Sequence, residues 1–188
     1  MKFPKGKYDV ALLDPPWFYY GSPDKMAAAG KHYRLMEKDD IFALPIYDLL
    51  TDRGVLFLWA TCPRLDYAMD AIYNWDLFYR GVGFVWIKTT KNGDPLRARG
   101  VRPSFVKPLT ELVLVAAKKE KGRPLPLQSE AIIQTVFSPV RQHSRKPAIV
   151  RKRIEKLFEP DVKRIELFAR ESAKGWTNWG LEKGKFDE

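Results

Sequence analysis

Short, almost continuously apolar runs alternate with amphipathic segments along this sequence, and this pattern constrains the fold more than any other feature. Such runs predict strands that are buried on both faces, which is typical of a mostly parallel sheet covered by helices. We therefore predict an α/β fold. The predicted strands are Tyr8 to Leu13, Gly54 to Thr61, Phe84 to Thr89, Glu111 to Lys118, Ala131 to Phe137 and Arg164 to Arg170.

The predicted helices lie between these strands. Asp39 to Leu50 has helical apolar spacing around Pro45, and Pro63 to Trp75 begins with a proline in its first turn. Arg145 to Phe158 is amphipathic, and we expect its basic face to be solvated surface. The apolar face would be formed by Ile149, Val150, Ile154, Leu157 and Phe158, and the basic face by Arg151, Lys152, Arg153 and Lys156.

The length of 188 residues predicts a single domain, residues 1–188, because we find no internal repeat and no convincing linker. A formal net charge of +10 favours a polyanionic partner, and nucleic acid is the leading candidate. An ordinary soluble basic protein is the alternative interpretation of the charge. The loop between the third and fourth predicted strands carries Lys91, Arg97, Arg99, Arg102 and Lys107.

Several classes of site and location are disfavoured by what the sequence lacks. Cys62 is the only cysteine, and His32 and His143 lack the spacing of metal ligands, so we expect no disulfide and no metal site. The N-terminus has no apolar signal core and no stretch approaches membrane-spanning length. We therefore expect a cytosolic protein, or a nuclear one in a eukaryote, with no membrane partner.

The string Asp14-Pro15-Pro16-Trp17 directly follows the first predicted strand. In open α/β sheets, ligands bind beyond the carboxyl ends of the strands, where Asp14 would lie. The two prolines fix φ and remove two backbone donors, so a carboxylate and a Pro15 carbonyl would form a rigid cluster of acceptors beside an aromatic ring. The alternative is an Asp-Pro turn closed by a core tryptophan.

Such a cluster suits a planar ligand that carries an NH2 group and stacks on an aromatic side chain. An exocyclic ring amine is a poor nucleophile because its lone pair is delocalised into the ring. Two fixed acceptors would stabilise the positive charge that grows on the nitrogen during attack, which is electrostatic preorganisation. The string therefore indicates chemistry on a nucleobase amine.

The sequence resembles the DPPW-type adenine-N(6) methyltransferases, the family of the catalytic subunit of the mRNA methyladenosine writer and of bacterial and phage DNA methyltransferases. The resemblance runs from about Tyr8 to Glu182 and implies a Rossmann-like fold that uses S-adenosylmethionine. It also implies a permuted motif order, with the catalytic strand first and the cofactor strand last. The landmarks that carry it are LDPPW, HYRLM, LFLWAT, VWIKT, TELVLVAAK, SRKP and RIELFAR followed by GWTNWGLE.

The resemblance also implies roles for individual residues. The Asp14 carboxylate and the Pro15 carbonyl would bind the target amine, and Trp17 with Tyr33 would frame the base. Pro16 would complete the rigid catalytic string, and Glu111 would lie near the base pocket. Apart from the resemblance, the charges of Arg97 and Arg99 in the basic loop would bind phosphate of the substrate. The cofactor would be bound by Asp14, Lys146, Glu166, Leu167, Phe168, Arg170 and Glu182. On residue type alone, a solvated cation is the favoured interpretation of Lys146, and a surface ring is the alternative for Tyr33.

Departures from the family pattern concern the cofactor and the active-site loop. Leu181 stands where the family commonly has an amide that binds the cofactor ribose, and Ala169 and Arg34 replace glycines. A catalytically silent nucleic-acid-binding subunit is therefore one alternative function. Methylation of RNA, or of a protein or free small molecule, is another. The compact chain favours DNA, from a bacterium or phage, and the sequence leaves open a homodimer or a partner subunit.

Overall fold

The structure, a computed structural model, describes residues 2–17, 36–96, 105–142 and 144–187. In these residues seven strands form one sheet in the order β5-β3-β4-β2-β1-β6-β7. The strands are β1 (Tyr8–Leu13), β2 (Leu50–Thr61), β3 (Phe78–Thr89), β4 (Thr110–Ala117), β5 (Thr135–Pro139), β6 (Arg164–Leu167) and β7 (Trp176–Trp179). The helices are α1 (Lys38–Phe42), α2 (Ile46–Leu49), α3 (Leu65–Asn74) and α4 (Ala148–Leu157), with a 3-10 turn at Cys62–Arg64.

The predicted α/β fold with a mostly parallel sheet is confirmed. Pairs β1–β2, β1–β6, β6–β7 and β3–β5 are parallel, whereas β4 runs antiparallel to both β2 and β3. Alternate residues of the central strands pack into two apolar clusters, one on each face of the sheet. Ala11 and Leu13 face the cluster that contains α3, while Val10 and Leu12 face the cluster that contains α4.

Helix boundaries differ from the predicted ones at the proline and at the apolar face of α4. The segment predicted as Asp39 to Leu50 is two short helices separated at Pro45, and Leu50 already belongs to β2. In α4 the buried line is Val150, Ile154 and Phe158 at spacings of four. Ile149 lies one position off that line and is exposed, so its place on the predicted apolar face was wrong.

Two strand predictions on the C-terminal half were displaced. The strand predicted at Ala131 to Phe137 is β5, which pairs with β3 only from Thr135 onward. The carbonyls of Ile133 and Thr135 accept hydrogen bonds from Arg153 Nη1, at 2.6 and 2.7 Å, which fixes this boundary against α4. The predicted strand to Arg170 ends at Leu167, because Phe168 has a φ of 60°.

The segment Trp176–Trp179, for which no strand was predicted, is β7, which pairs in parallel with β6. β1 therefore lies between β2 and β6, with Leu13 opposite both Leu58 and Leu167. The carboxyl ends of β1, β2 and β6 meet at one edge of the sheet, which is where ligands bind in open α/β folds. This edge positions the site.

Candidate active site

The site residues converge from four parts of the chain on the edge where β1 and β6 end. Asp14 follows β1 directly, and Glu166 lies in β6 opposite Leu12. Glu111 is near the start of β4, which is antiparallel to β2, so Glu111 pairs with Thr61 and reaches the same edge. Lys146 lies two residues before α4. The described structure therefore places these four residues together, and their roles stay predictions.

Asp14 is a mostly buried carboxylate that two cations contact. Lys146 Nζ lies 2.8 Å from Oδ1 and 3.0 Å from Oδ2 of Asp14. Arg170 Nη2 donates to Asp14 Oδ2 at 2.7 Å and to Ser144 Oγ at 3.1 Å. Because a buried charge is costly unless it is paired, these contacts provide the Asp14 carboxylate with the partners that it needs at the strand end.

Glu111 shares Lys146 with Asp14. Its Oε1 lies 2.7 Å from Lys88 Nζ, and its Oε2 lies 3.3 Å from Lys146 Nζ. Oε2 is buried and accepts no hydrogen bond in the described structure. Burial lowers the pKa of Lys146, but the charges of Asp14 and Glu111 outweigh burial and raise that pKa above its usual value. Lys146 is therefore a permanent cation with a second acceptor close by.

A second charged group lies on the β6 side of the pocket. Arg151 of α4 donates from Nη1 to Glu166 Oε2 at 2.6 Å and from Nη2 to Glu171 Oε2 at 2.8 Å. Burial raises the pKa of Glu166, and Arg151 only partly opposes that effect. Burial also acts to raise the pKa of Glu171, but hydrogen bonds from Arg145 and Arg151 lower it overall.

Two residues of unusual backbone conformation lie at this pocket. Among the described residues, Phe168 and Ser144 are two of the three with positive φ that are not glycine, at 60° and 62°. Both line the pocket. Left-handed conformations of such residues cost free energy, and they are concentrated at functional sites. Phe168 reverses the chain after β6 and packs edge-on against Trp179 at 5.5 Å.

The carbonyls and the aromatic ring of the Asp-Pro-Pro-Trp string have more partners within the protein than the sequence predicts. The Pro15 carbonyl accepts a hydrogen bond from Trp17 N–H at 2.9 Å, and the Pro16 carbonyl accepts one from Met36 at 3.1 Å. The Trp17 ring is 3% exposed within the core and donates to the Trp59 carbonyl at 3.3 Å. A side chain buried to this extent presents little surface to a nucleobase, so the structure does not support Trp17 as a base-framing ring.

Other predicted site residues fall into two groups. Successive side chains of β6 point to opposite faces of the sheet. The Leu167 side chain is therefore fully buried in the cluster that contains α3 and does not line the pocket. Glu182 also does not line the pocket and instead pairs with Lys185. Tyr33, Arg97 and Arg99 lie outside the described residues, and their roles stay predictions.

Sequence reasoning missed Lys88, Arg145, Arg151 and Glu171. Arg151 had been assigned to a solvated face, yet its side chain is 12% exposed between two carboxylates. A signal was available, because an acid in a buried strand such as Glu166 needs a cation, and α4 offers several. Nothing in the sequence specifies which of those cations reaches the strand.

The donor set of the pocket fits S-adenosylmethionine, which the family resemblance implies. Asp14 and Glu166 offer carboxylate acceptors for an ammonium and for hydroxyl groups, while Phe168 and Trp59 supply apolar surface. The free volume among these side chains is about 30 Å³, room for about one water. The long side chains of Lys146, Arg151 and Arg170 must therefore move to admit such a molecule.

The described part of the chain contains no group of three or more histidine, cysteine or acidic side chains placed to hold a metal ion. Within the same ranges, every helix is too short or too polar to cross a bilayer.

Comparison with known proteins gives consistent matches. Residues 8–182 match the MT-A70 family. The type II methyltransferase M.MunI from a Mycoplasma species is 32% identical, over 96% of this chain and 80% of its own length. The human N(6)-adenine-specific methyltransferase METTL4 is 28% identical, over 95% of this chain and 38% of its own length.

A fungal relative adds a nucleic-acid class to these matches. The N6-methyladenosine RNA methyltransferase MTA1 from Cryphonectria parasitica is 26% identical, over 96% of this chain and 53% of its own length. The chain thus spans most of the Mycoplasma enzyme but only about half or less of the other two proteins.

Proposed function

Because this chain belongs to the MT-A70 family, whose methyltransferases use S-adenosylmethionine, we propose that it methylates the exocyclic 6-amino group of adenine in DNA. The names of its relatives support the chemistry, since two of them specify adenine or adenosine methylated at N6. The preference for DNA is supported by the Mycoplasma enzyme, a type II methyltransferase that this chain covers over 80% of its length. RNA is the competing substrate.

One observation carries the proposal: Asp14 and Pro15 each retain capacity for one more hydrogen bond. A carboxylate has about four lone-pair positions and a carbonyl has two. Asp14 uses three of its positions on Lys146 and Arg170, and the Pro15 carbonyl uses one on Trp17 N–H. Within the described residues, two open acceptors on adjacent residues therefore match the two N–H groups of an aromatic amine.

The residues that would hold the cofactor are Asp14, Glu166, Phe168 and Arg170, which line the pocket. When bound, the cofactor supplies a methyl group on a positively charged sulfur. Asp14 and Pro15 would polarise the amine, and the carboxylate would attract the positive charge that forms as nitrogen gains a bond to carbon. The methylated nitrogen then loses one proton to water.

The contact between Lys146 and Asp14 has to weaken before the cofactor and the amine can bind at Asp14. Two cations on one carboxylate leave the group net positive, which repels a sulfonium ion. Glu111 Oε2 lies 3.3 Å from Lys146 Nζ and accepts no hydrogen bond, so a small movement of Lys146 would transfer it from Asp14 to Glu111. Glu111 would thereby assist the reaction from the substrate side.

The target base has to reach this recessed edge. Adenine in a duplex is stacked and paired, so the enzyme would act on single strands or flip the base at a few kcal/mol. Arg97 and Arg99 are proposed phosphate contacts that position the strand without specifying its sequence. We also propose a cytoplasmic location.

The test measures transfer of labelled methyl from S-adenosylmethionine to single-stranded DNA, duplex DNA and RNA of one sequence. We expect transfer to adenine with DNA preferred, and about a thousandfold loss or more in Asp14→Ala and Asp14→Asn, since the amine then loses its charged acceptor. Asp14→Asn keeps the side-chain volume, and Asp52→Ala, at a fully exposed acid far along β2, is the matched control.

Circular dichroism would check that each variant is folded. Full activity of either Asp14 variant would refute the assigned role. Transfer to RNA alone would correct the substrate, and absence of transfer to all three would favour the silent nucleic-acid-binding subunit.

A further inference from the structure

Arg151 lies between two carboxylates, and a separate nitrogen of its guanidinium contacts each of them. Nη1 donates to Glu166 at 2.6 Å and Nη2 to Glu171 at 2.8 Å. Rotation of the side chain would break at least one of these charged hydrogen bonds, so the planar guanidinium is held in one orientation. The Arg151 side chain is 12% exposed, which limits competition from water.

Glu171 is itself fixed from the other side. Arg145, whose side chain is buried, donates from Nη2 to Glu171 Oε1. Arg145, Glu171, Arg151 and Glu166 thus form a row of alternating charge that runs from the loop before α4 to β6. Such a row orders each member through its neighbours, so the last carboxylate, Glu166, is held by the whole row.

Burial opposes the charge of Glu166, and the Arg151 cation of this row favours it. The ionisable groups that face it are Arg151 from α4, Asp14 after β1 and Glu171 after β6. Two of these three are acids, and Asp14 is in turn contacted by Lys146 and Arg170. Burial and both neighbouring acids raise the pKa of Glu166, whereas Arg151 lowers it.

We propose that Arg151 is a positioning residue for the cofactor, which keeps Glu166 ionised and leaves its Oε1 to accept from the ribose hydroxyls. Arg151 occupies Oε2, and Oε1 accepts no hydrogen bond from the described protein. The proposal rests on the proposed function, since it assigns Glu166 to the cofactor. The Glu166 Oε1 acceptor would also provide a hydrogen bond to the ribose. Leu181, which is exposed, cannot make that bond, because a leucine side chain has no polar group.

The test uses the full chain with Arg151→Met, Arg151→Lys and, as the matched control, Lys152→Met at the exposed neighbouring position of α4. Carbon-13 NMR of the glutamate carboxyls would give the titration midpoint of Glu166 without ligand. Calorimetry with S-adenosylhomocysteine between pH 6 and 9 would give the affinity for the cofactor product. Circular dichroism would confirm that each variant is folded.

We expect Arg151→Met to raise the Glu166 midpoint and to weaken S-adenosylhomocysteine at pH 7 about tenfold or more, the loss of one charged hydrogen bond. The loss should shrink as pH rises above the new midpoint, because Glu166 is then ionised without Arg151. Arg151→Lys should restore the midpoint in part, and Lys152→Met should change neither quantity.

An unmoved midpoint would overturn the proposal, and so would an affinity loss of equal size at every pH, which a purely structural role would give. Failure of the wild-type chain to bind S-adenosylhomocysteine would overturn the proposed function and the role toward the cofactor. In that case the NMR midpoint still decides whether Arg151 keeps Glu166 ionised.

Discussion

The two ends of α4 contact two very different pockets on the same face of the sheet. Its first turn, with Val150 and Arg151, lines the pocket at the carboxyl ends of β1 and β6. Its last residue, Leu157, and Phe158 line a second pocket near Val55, at the opposite end of β2. The first has about 30 Å³ of free volume and the second about 250 Å³.

We infer from its charges that the smaller pocket is the functional one. Seven of its lining residues are ionisable, against two arginines in the larger pocket. Buried charges are unfavourable unless they are paired, and replacing such pairs by apolar residues is often stabilising. Ion pairs gathered at a strand end therefore indicate selection for chemistry, whereas an apolar pocket beneath a loop indicates packing. Free volume by itself identifies neither.

Phe84→Ala tests whether the larger pocket has a function of its own or serves only for packing. Phe84 is 2% exposed and packs against Phe57 with ring centroids 6.2 Å apart. Its truncation should lower the free energy of unfolding by about 3–5 kcal/mol, toward the low end because water can enter the enlarged pocket. Denaturant unfolding would measure the loss.

Methyl transfer by Phe84→Ala, assayed at a temperature where the variant is folded, should equal that of the wild type. A folded variant that transfers poorly would show that the apolar pocket is coupled to the site, and the distinction between packing and function would fail.

Glu171→Gln should show that the charged row at the smaller pocket has a pH-dependent contribution to stability. The pKa of Glu171 is below its usual value because the hydrogen bonds from Arg145 and Arg151 outweigh burial. The ionised acid therefore stabilises the fold above the unfolded-state pKa of 4.5, and this contribution is lost as pH falls through the lower folded-state pKa.

At pH 7 we expect Glu171→Gln to lower the free energy of unfolding by about 1–3 kcal/mol, as for hydrogen bonds to charged groups. The difference from wild type should stay constant down to about pH 5 and shrink below pH 4.5. Glu130→Gln, at an exposed pair with Arg123, is the control and should change little. A difference that is the same at pH 3 and pH 7 would contradict the ionic role.

The sequence predicted the sheet and the site carboxylates because their signals are local. β1 and β2 are continuous apolar runs, and Asp14 follows a strand whose end must lie at a sheet edge. β7 was missed because Trp176–Trp179 is short and lies between turn residues, and its pairing with β6 is a tertiary contact. The early end of β6 depends on the left-handed conformation of Phe168, which apolar spacing does not reveal.

The cations of the site could not be assigned in the same way. Arg151 and Lys152 are adjacent and chemically similar, yet a rotation of 100° on α4 places one between two acids and the other in solvent. Trp17 is the converse case, since an aromatic residue beside the Asp-Pro-Pro string suits both stacking and the core, and its burial favours the core. Residue type indicates what a side chain can do, and only packing decides which of its roles is open.

Arg80→Met tests the role of one of the two arginines that line the larger pocket. Arg80 donates to the carbonyl of Lys119 at 2.8 Å and to that of Gly122 at 2.6 Å, and so fixes the turn after β4. Gly122 has a φ of 75°, which other residues adopt at a cost, so the turn depends on both features. Loss of these hydrogen bonds should lower the free energy of unfolding by about 1 kcal/mol.

Because two backbone carbonyls already engage the guanidinium of Arg80, methyl transfer and oligonucleotide affinity should match the wild type. Arg123→Met, at the exposed rim arginine, should shift stability by less than Arg80→Met, since its pair with Glu130 is screened by water. Impaired transfer by Arg80→Met alone would give this rim a part in the reaction, and the larger pocket could then no longer be ascribed to packing.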